Sequence, residues 1–397
     1  NLFNTTIEGL HFHTQNPAYG TAIALGSFND QVLIRGNSFN TNAINPTSNN
    51  VSAIYGSDVQ NRSLRVEDNT IQGLAYGVYL YGNSNSTGYE IKGNNISNAH
   101  TGLHLNHLGA VDVFSNEISA RDKGLHLDSI NAARIRGNQM VTSGGSYVLY
   151  HNSGTLTTGT QEIYNNYLRG VSNQDVIFLS RVQNAKIYHN TIINASSFAA
   201  SRGLNHAGQN SGLDIRNNIV MANGGIAARY SNNDGIAALA ANIYYSTSGV
   251  PVMLNTTPIA DLATYQNTFG DVSSLYTDPM LEANSFVLQN GSPAINAGVA
   301  LTEVPFDING TLRELSDIGC YEYNSTALII PQNVRIIQGA EYYSLVWDEV
   351  PGADTYMVYY GSSPDAASWQ GIPVQNTYII LDMASPARFF KVSAIRD

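Results

Sequence analysis

One short pattern recurs through the first two thirds of this 397-residue chain: an apolar residue, two residues, asparagine, one residue, an apolar residue. It reads Ile34/Asn37/Phe39, Val66/Asn69/Ile71, Ile91/Asn94/Ile96, Val113/Asn116/Ile118, Ile135/Asn138/Met140, Ile163/Asn166/Leu168, Ile187/Asn190/Ile192 and Ile215/Asn218/Val220. Leu239/Asn242/Tyr244 is a weaker ninth copy, and Ile7/Leu10/Phe12 opens the series with leucine in the asparagine position. The steps between asparagines are 32, 25, 22, 22, 28, 24, 28 and 24 residues. A period in this range is the signature of a solenoid, in which each unit buries its apolar face only by stacking on the next.

The unit has a second limb. About ten residues before the Ile comes an apolar-alternating run opened by glycine, as in Gly77-Val78-Tyr79-Leu80, Gly102-Leu103-His104-Leu105 and Gly124-Leu125-His126-Leu127. Such runs bounded by Gly, Asn and Ser predict short strands. Each repeat therefore holds at least two strands. No helical period is long enough for a crossover helix, so repeats must stack by parallel strand pairing. Ten coils at ~4.8 Å each give a rod of about 48 Å. Asparagine at a turn tolerates left-handed backbone and bonds to neighbouring backbone, and one per coil can form an amide ladder. Asn37, Asn69, Asn94, Asn116, Asn138, Asn166, Asn190, Asn218 and Asn242 are thus expected to be structural.

The repeat and its asparagine resemble the right-handed parallel β-helix proteins of the pectate-lyase-like group, over residues 1–250. The resemblance implies an all-β solenoid. It does not imply one activity, because that group includes lyases, hydrolases, epimerases, adhesins and structural proteins. Residues 251–327 lose the repeat and resemble the closing segment that follows the β-helix in secreted bacterial surface proteins. It is expected to cover the last coil, whose open strand edge would otherwise template association. Residues 328–397, with Ser344-Leu345-Val346-Trp347-Asp348 and Tyr356-Met357-Val358-Tyr359-Tyr360, resemble a fibronectin type III module. Trp347 and Tyr356 are the expected anchors of this small β-sandwich. Such a module is usually a spacer or attachment unit.

Composition narrows the partners. The net charge of −11 argues against nucleic acid and anionic membrane, and no apolar run approaches a membrane span. The single cysteine, Cys320, excludes a disulfide framework within the chain; Ile318, Gly319 and Tyr321 around it read as a strand with a buried thiol. Low charge and abundant Gly and Tyr fit a secreted or cell-surface protein, bacterial by the resemblance. Asn1 falls inside a coil, as in a processed or truncated chain, whose open end would invite self-association. The sequons at Asn85 and Asn194 are expected by chance in so Asn- and Ser-rich a chain.

Two outward surfaces can be read. The residues flanking the repeat's Ile face out, and from Asp112 they alternate in sign: Asp112, Arg134, Glu162, Lys186, Asp214. Adjacent coils then pair opposite charges, which fixes register. Arg134 should lie near Asp112 and Glu162, and Lys186 near Glu162 and Asp214. The other limb presents Ala24, Tyr55, Tyr79, His104, His126, Phe178 and Asn205, with Tyr81, Asn106 and Asp128 in a second column. Of these, Tyr55, Tyr79, Tyr81, His104 and His126 could hold sugar rings, or simply form a stacking ladder. A polysaccharide lyase would need a cation and a base, for which Arg121, Lys123 and His126 are candidates. A glycoside hydrolase would need two acids, and Asp122 and Asp128 are the only close pair. Asp307 and Asn309 could ligate calcium, although Asp-x-Asn-Gly is more often a tight turn, with Arg313 and Asp317 as a local pair. No other cofactor is implied. The sequence favours a structural or glycan-contacting rod over an enzyme, with a polysaccharide or cell-surface glycan as partner.

Overall fold

The computed structural model describes residues 2–14, 20–26, 28–41, 51–83, 86–153, 157, 159–323, 331–339, 342–350, 353–362, 369–381 and 389–395. It divides into two compact units, residues 1–323 and 324–397. Most of the two long steps between repeats, around residues 40–50 and 153–160, lies outside the described residues, as do Asn1 and the sequon at Asn85.

The first unit is a parallel β-helix. Each coil contributes three short strands rather than two, so the solenoid has three faces. The first face carries the repeat's Ile on strands such as Ala110–Phe114, Ala132–Arg136 and Gln161–Tyr164, paired in parallel as Val113↔Ile135↔Ile163. Antiparallel pairing of Val113 with Ile135 is thereby excluded. The asparagine turn follows. The second face pairs Ile96↔Ile118↔Met140↔Leu168. The third pairs Leu103↔Leu125↔Leu149↔Ile177↔Leu204. These inward columns are buried and form one continuous core. The glycine that opens the third strand has a steric reason. A Cβ on Gly102 would lie 2.5 Å from Ile118 Cγ2 and 2.6 Å from the Gly124 carbonyl, where the coil turns its corner.

The nine asparagines form the expected ladder. Each Nδ2 from Asn37 to Asn218 donates to Oδ1 of the next ladder asparagine at 2.9–3.0 Å, and each backbone N–H donates to that same oxygen. The other Nδ2 hydrogen reaches the carbonyl of an inward residue one coil back, as Asn138 does to Val113 at 2.9 Å. Buried amides are thus satisfied without water. One detail differs from expectation. The left-handed residue is not the asparagine but its predecessor: Gly93, Ser115, Gly137, Asn165, His189 and Asn217 all have positive φ. The asparagine keeps ordinary backbone and spends its side chain on the ladder. Leu10, which lacks the amide, still donates its N–H to Asn37 Oδ1 at 3.0 Å.

Beyond the last parallel strand, Val250–Leu254, the strand Thr257–Ile259 turns antiparallel onto it. A short helix, Leu262–Phe269, follows, N-capped by Asp261 and ended by left-handed Gly270. Tyr230, Tyr244, Tyr265 and Tyr276 pack over the core at this end. Ser274 Oγ then accepts the Asn242 N–H at 2.8 Å, standing where a tenth asparagine would be. The closing segment does more than cover the last coil. It runs back beside the asparagine turns, where Phe306 O accepts from Asn165, Val299 exchanges two hydrogen bonds with Asn217, and Cys320 N–H donates to Thr191. The residues around Cys320 are irregular rather than strand, but the thiol is fully buried, which pushes its pKa up to about 12. Arg313 pairs with Glu322 at 2.7 Å and not with the Asp317 carboxylate, which caps the N–H groups of Asn296 and Tyr323.

The second unit holds two three-stranded antiparallel sheets. One is Arg335–Gln338, Tyr343–Val346 and Tyr378–Leu381; the other is Gln370–Val374, Thr355–Gly361 and Phe389–Ile395. Between them Trp347 and Tyr356 meet edge-on at 5.3 Å, and Tyr356 Oη accepts the Val350 N–H. The chain is therefore nearly all β, and none of its described helices is long and apolar enough to cross a membrane.

Candidate functional site: the third face of the solenoid

The first face is a closed charge ladder. Arg134 contacts Glu162 at 2.8 Å and Asp112 at 3.8 Å, as the register requires, and Arg136 joins Asp112 at 3.2 Å while lying over the Phe114 ring. Lys186 is in register with Glu162 and Asp214 but bonds Glu303 of the closing segment at 3.0 Å. Asp214 turns to Arg216 and to the Tyr188 hydroxyl instead. A groove of about 470 Å³ runs across Glu90, Asp112, Arg134 and Glu162 over small residues such as Gly88, Ala110 and Ala132. Glu90 and Asp112 are in register with each other, the one like-charged step here.

The third face is different. Its middle outward column is Tyr55↔Tyr79↔His104↔His126↔Tyr150↔Phe178↔Asn205↔Arg229. The rings alternate in tilt. Tyr55 stacks on Tyr79 at 5.3 Å, Tyr79 meets His104 edge-on at 4.7 Å, and His104 stacks on His126 at 4.1 Å. His126 meets Tyr150 edge-on at 4.8 Å, and Tyr150 stacks on Phe178 at 5.0 Å. Tyr76 and Tyr147 flank the column on one side, and Tyr81 stands more exposed on the other. Tyr147 and Tyr150 were not read from the sequence; their coil has Val148 where the preceding coil has Gly124, as the following coil has Val176.

Burial keeps both column histidines neutral. His104 is lowered to about 4, by burial and then by Lys123, and His126 to about 3, by burial, His104 and Lys123. Neither His104 ring nitrogen has a hydrogen-bond partner. The cations and acids proposed for chemistry are otherwise engaged. Lys123 Nζ lies 2.6 Å from Asp122, whose other oxygen accepts two bonds from Ser146. Burial alone would raise the Asp122 pKa, but Lys123 and Ser146 outweigh it and lower it. Arg121 sits at the corner before this strand, with burial lowering its pKa. Asp122 and Asp128 lie at opposite edges of the face. The five steps from Lys123 to Asp128 alone rise about 16 Å, beyond the roughly 5–9.5 Å of a glycosidase acid pair. His126 stands between them and touches neither.

Asp307 Oδ1 accepts the N–H groups of Asn309 and Thr311, and Oδ2 accepts that of Glu322. This is the tight turn, with both oxygens already facing backbone donors. Among the described residues no group of three His, Cys, Asp or Glu is placed to hold a metal ion.

Residues 76–244 match the family model for the right handed beta helix region. That stretch contains the ladder from Asn94 to Asn242 and the third-face column from Tyr79 to Arg229. It gives the solenoid its hand: the molecule is a right-handed parallel β-helix. No curated protein matches the chain.

Proposed function

We propose that this β-helix is a rod whose third face contacts glycans, in a secreted or cell-surface protein. The observation that carries the reading is the unbroken column of half-buried rings from Tyr55 to Phe178 over six coils. Ring faces accept the C–H faces of sugars, and the polar edges of Tyr and His accept their hydroxyls. A rod presenting six such steps suits a chain polymer lying along its axis. The two-sheet unit at residues 324–397, read as a fibronectin type III-like module, serves attachment in this scheme. Self-association through coil ends or sides would add avidity.

The rival reading is a polysaccharide lyase or hydrolase at the same face. It is less favoured because Lys123 and Asp122 neutralise each other and Asp122 and Asp128 stand too far apart. A panel of neutral and acidic polysaccharides tests both, scored for retention by affinity electrophoresis and for unsaturated products and new reducing ends. Retention without turnover, weakened by Tyr79→Ala or Tyr150→Ala, is the expected result. Turnover abolished by His126→Ala would replace the binding reading with the enzymatic one. No retention by any polysaccharide would sink both.

A further inference from the structure

The ring column stops at Phe178, and the two positions that continue it are Asn205 and Arg229. Beside them lies a built polar cluster. Asp175 is almost fully buried, and its two carboxylate oxygens accept from Arg202 Nη1 at 2.9 Å and Asn205 Nδ2 at 2.8 Å. Asn205 Oδ1 in turn accepts from Arg229 Nη1 at 3.3 Å, and Arg229 Nε donates to the Asn255 carbonyl at 3.0 Å. Two guanidiniums are thus held in place by one carboxylate and one amide.

The charges do not cancel. Asp175 neutralises Arg202, while both partners of Arg229 are neutral. Burial lowers the Arg229 pKa and Arg202 lowers it further, with only Asp175 opposing. A structural role requires one arginine here; the second adds repulsion and desolvation in a chain whose net charge is −11. Uncompensated electrostatic cost of this kind concentrates at sites that meet a ligand. Among the described residues, Nη2 of each guanidinium has no hydrogen-bond partner. Arg229 lies two coils, about 10 Å, beyond the last ring in its column, and Arg202 lies one coil beyond it in the flanking column of Tyr147 and Asp175.

We propose that Arg202 and Arg229 form an oxyanion subsite that takes a carboxylate or sulfate ester of an acidic glycan whose neighbouring sugars lie on the rings. The subsite rests on the glycan-contacting reading of the third face and specifies its ligand. Two N–H donors from separate arginines match the two oxygens of a carboxylate or two of a sulfate ester. Asn205 and the buried Asp175 hold the donors in position before the ligand arrives.

Isothermal titration with size-matched oligosaccharides tests it: alginate (carboxylate), chondroitin sulfate (both groups) and dextran (neutral), on the full chain at low and high NaCl. The acidic ligands should bind at least tenfold tighter than dextran at low salt and lose that advantage at high salt. Arg229→Gln should remove the advantage and leave dextran binding unchanged. Arg229→Lys, which keeps the charge without the fork, should retain part of it. Far-UV circular dichroism and thermal midpoints check that each variant folds. Preference for alginate or for chondroitin sulfate supports the subsite and names the anion. Equal affinity for dextran and the acidic ligands, or acidic binding unchanged in Arg229→Gln, overturns the subsite while the glycan-contacting face stands. No binding of any ligand overturns both.

Discussion

The first and third faces of the β-helix share the same interior logic and spend their outward positions in opposite ways. Under both, an aliphatic residue from each coil packs on the next. Outside, the first face sets Asp112, Arg134 and Glu162 into alternating pairs. The third face sets Tyr79, His104, His126 and Tyr150 into a ring stack in which both His104 nitrogens lack a hydrogen-bond partner. Paired charges in register secure alignment and leave little to offer a ligand. Neutral rings secure less alignment and keep hydrogen-bonding capacity in reserve. One helix thus separates the task of holding register from the task of contact by assigning them to different faces.

Acid should break that comparison most strongly, because four buried or half-buried histidines lie on or beneath the third face, against, among the described residues, His189 alone at the asparagine turn beside the first. His104 and His126 lie on the third face, and His151 and His206 point inward beneath it. Burial lowers His151 and His206 to about 4, with Arg229 adding to the effect at His206. A folded-state pKa below the unfolded 6.5 means the unfolded chain binds more protons as pH falls. Their stabilisation is complete above pH 6.5 and is lost between there and about pH 4. For fully buried His151 alone that amounts to about 3 kcal/mol. Amide exchange followed from pH 7 to pH 4 should show third-face strands losing protection before first-face strands; simultaneous loss would refute the assignment. Glycan binding should stay flat from pH 8 to pH 5, since the column imidazoles are neutral throughout.

Asn138→Ala should injure both faces equally. It orphans the buried donors of Asn116 and the Val113 carbonyl. Each orphaned buried group costs about 1–3 kcal/mol, so urea unfolding should show a loss of several kcal/mol in one cooperative transition. His104→Ala combined with Tyr150→Ala should instead separate the faces. Affinity for a bound oligosaccharide should fall at least tenfold, about 1.4 kcal/mol, while first-face exchange protection is unchanged. Arg134→Ala is the smallest effect. Its pairs are half-exposed, so a loss of ~0.2–1 kcal/mol is expected that disappears in molar salt, with glycan affinity untouched.

The sequence revealed what recurs. The ladder, the inward columns and the Arg134 pairings are all set between identical positions of adjacent coils, so a period alone locates them. It hid what happens once. Tyr150 was missed although Phe178, whose coil likewise has valine in place of the marker glycine, was not. The Lys186–Glu303 and Arg313–Asn165 contacts join residues more than a hundred positions apart with no repeat to align them. The left-handed position went to the ladder asparagine in sequence because asparagine tolerates that backbone. The structure gives it to whichever residue precedes, including His189 and Ala241, because the amide is already committed to its neighbours.

Ser274, at the end of the amide ladder, has a consequence for how such a chain changes length. Interior coils are interchangeable: a duplicated segment such as residues 117–138 meets the same amide donor and acceptor on both sides that its original met. The terminator is unique, since its hydroxyl is itself held by Asp271 and passes no amide onward. Unequal recombination upstream of Asn165, where the closing segment makes its first hydrogen bond to the turns, can therefore lengthen or shorten the rod by whole turns without redesigning the C-terminal end. An insertion that falls after Asn242 would strand the terminator from its partner. Duplication drift in genes of this kind should accumulate upstream of the Asn165 codon, before the coils that the closing segment holds.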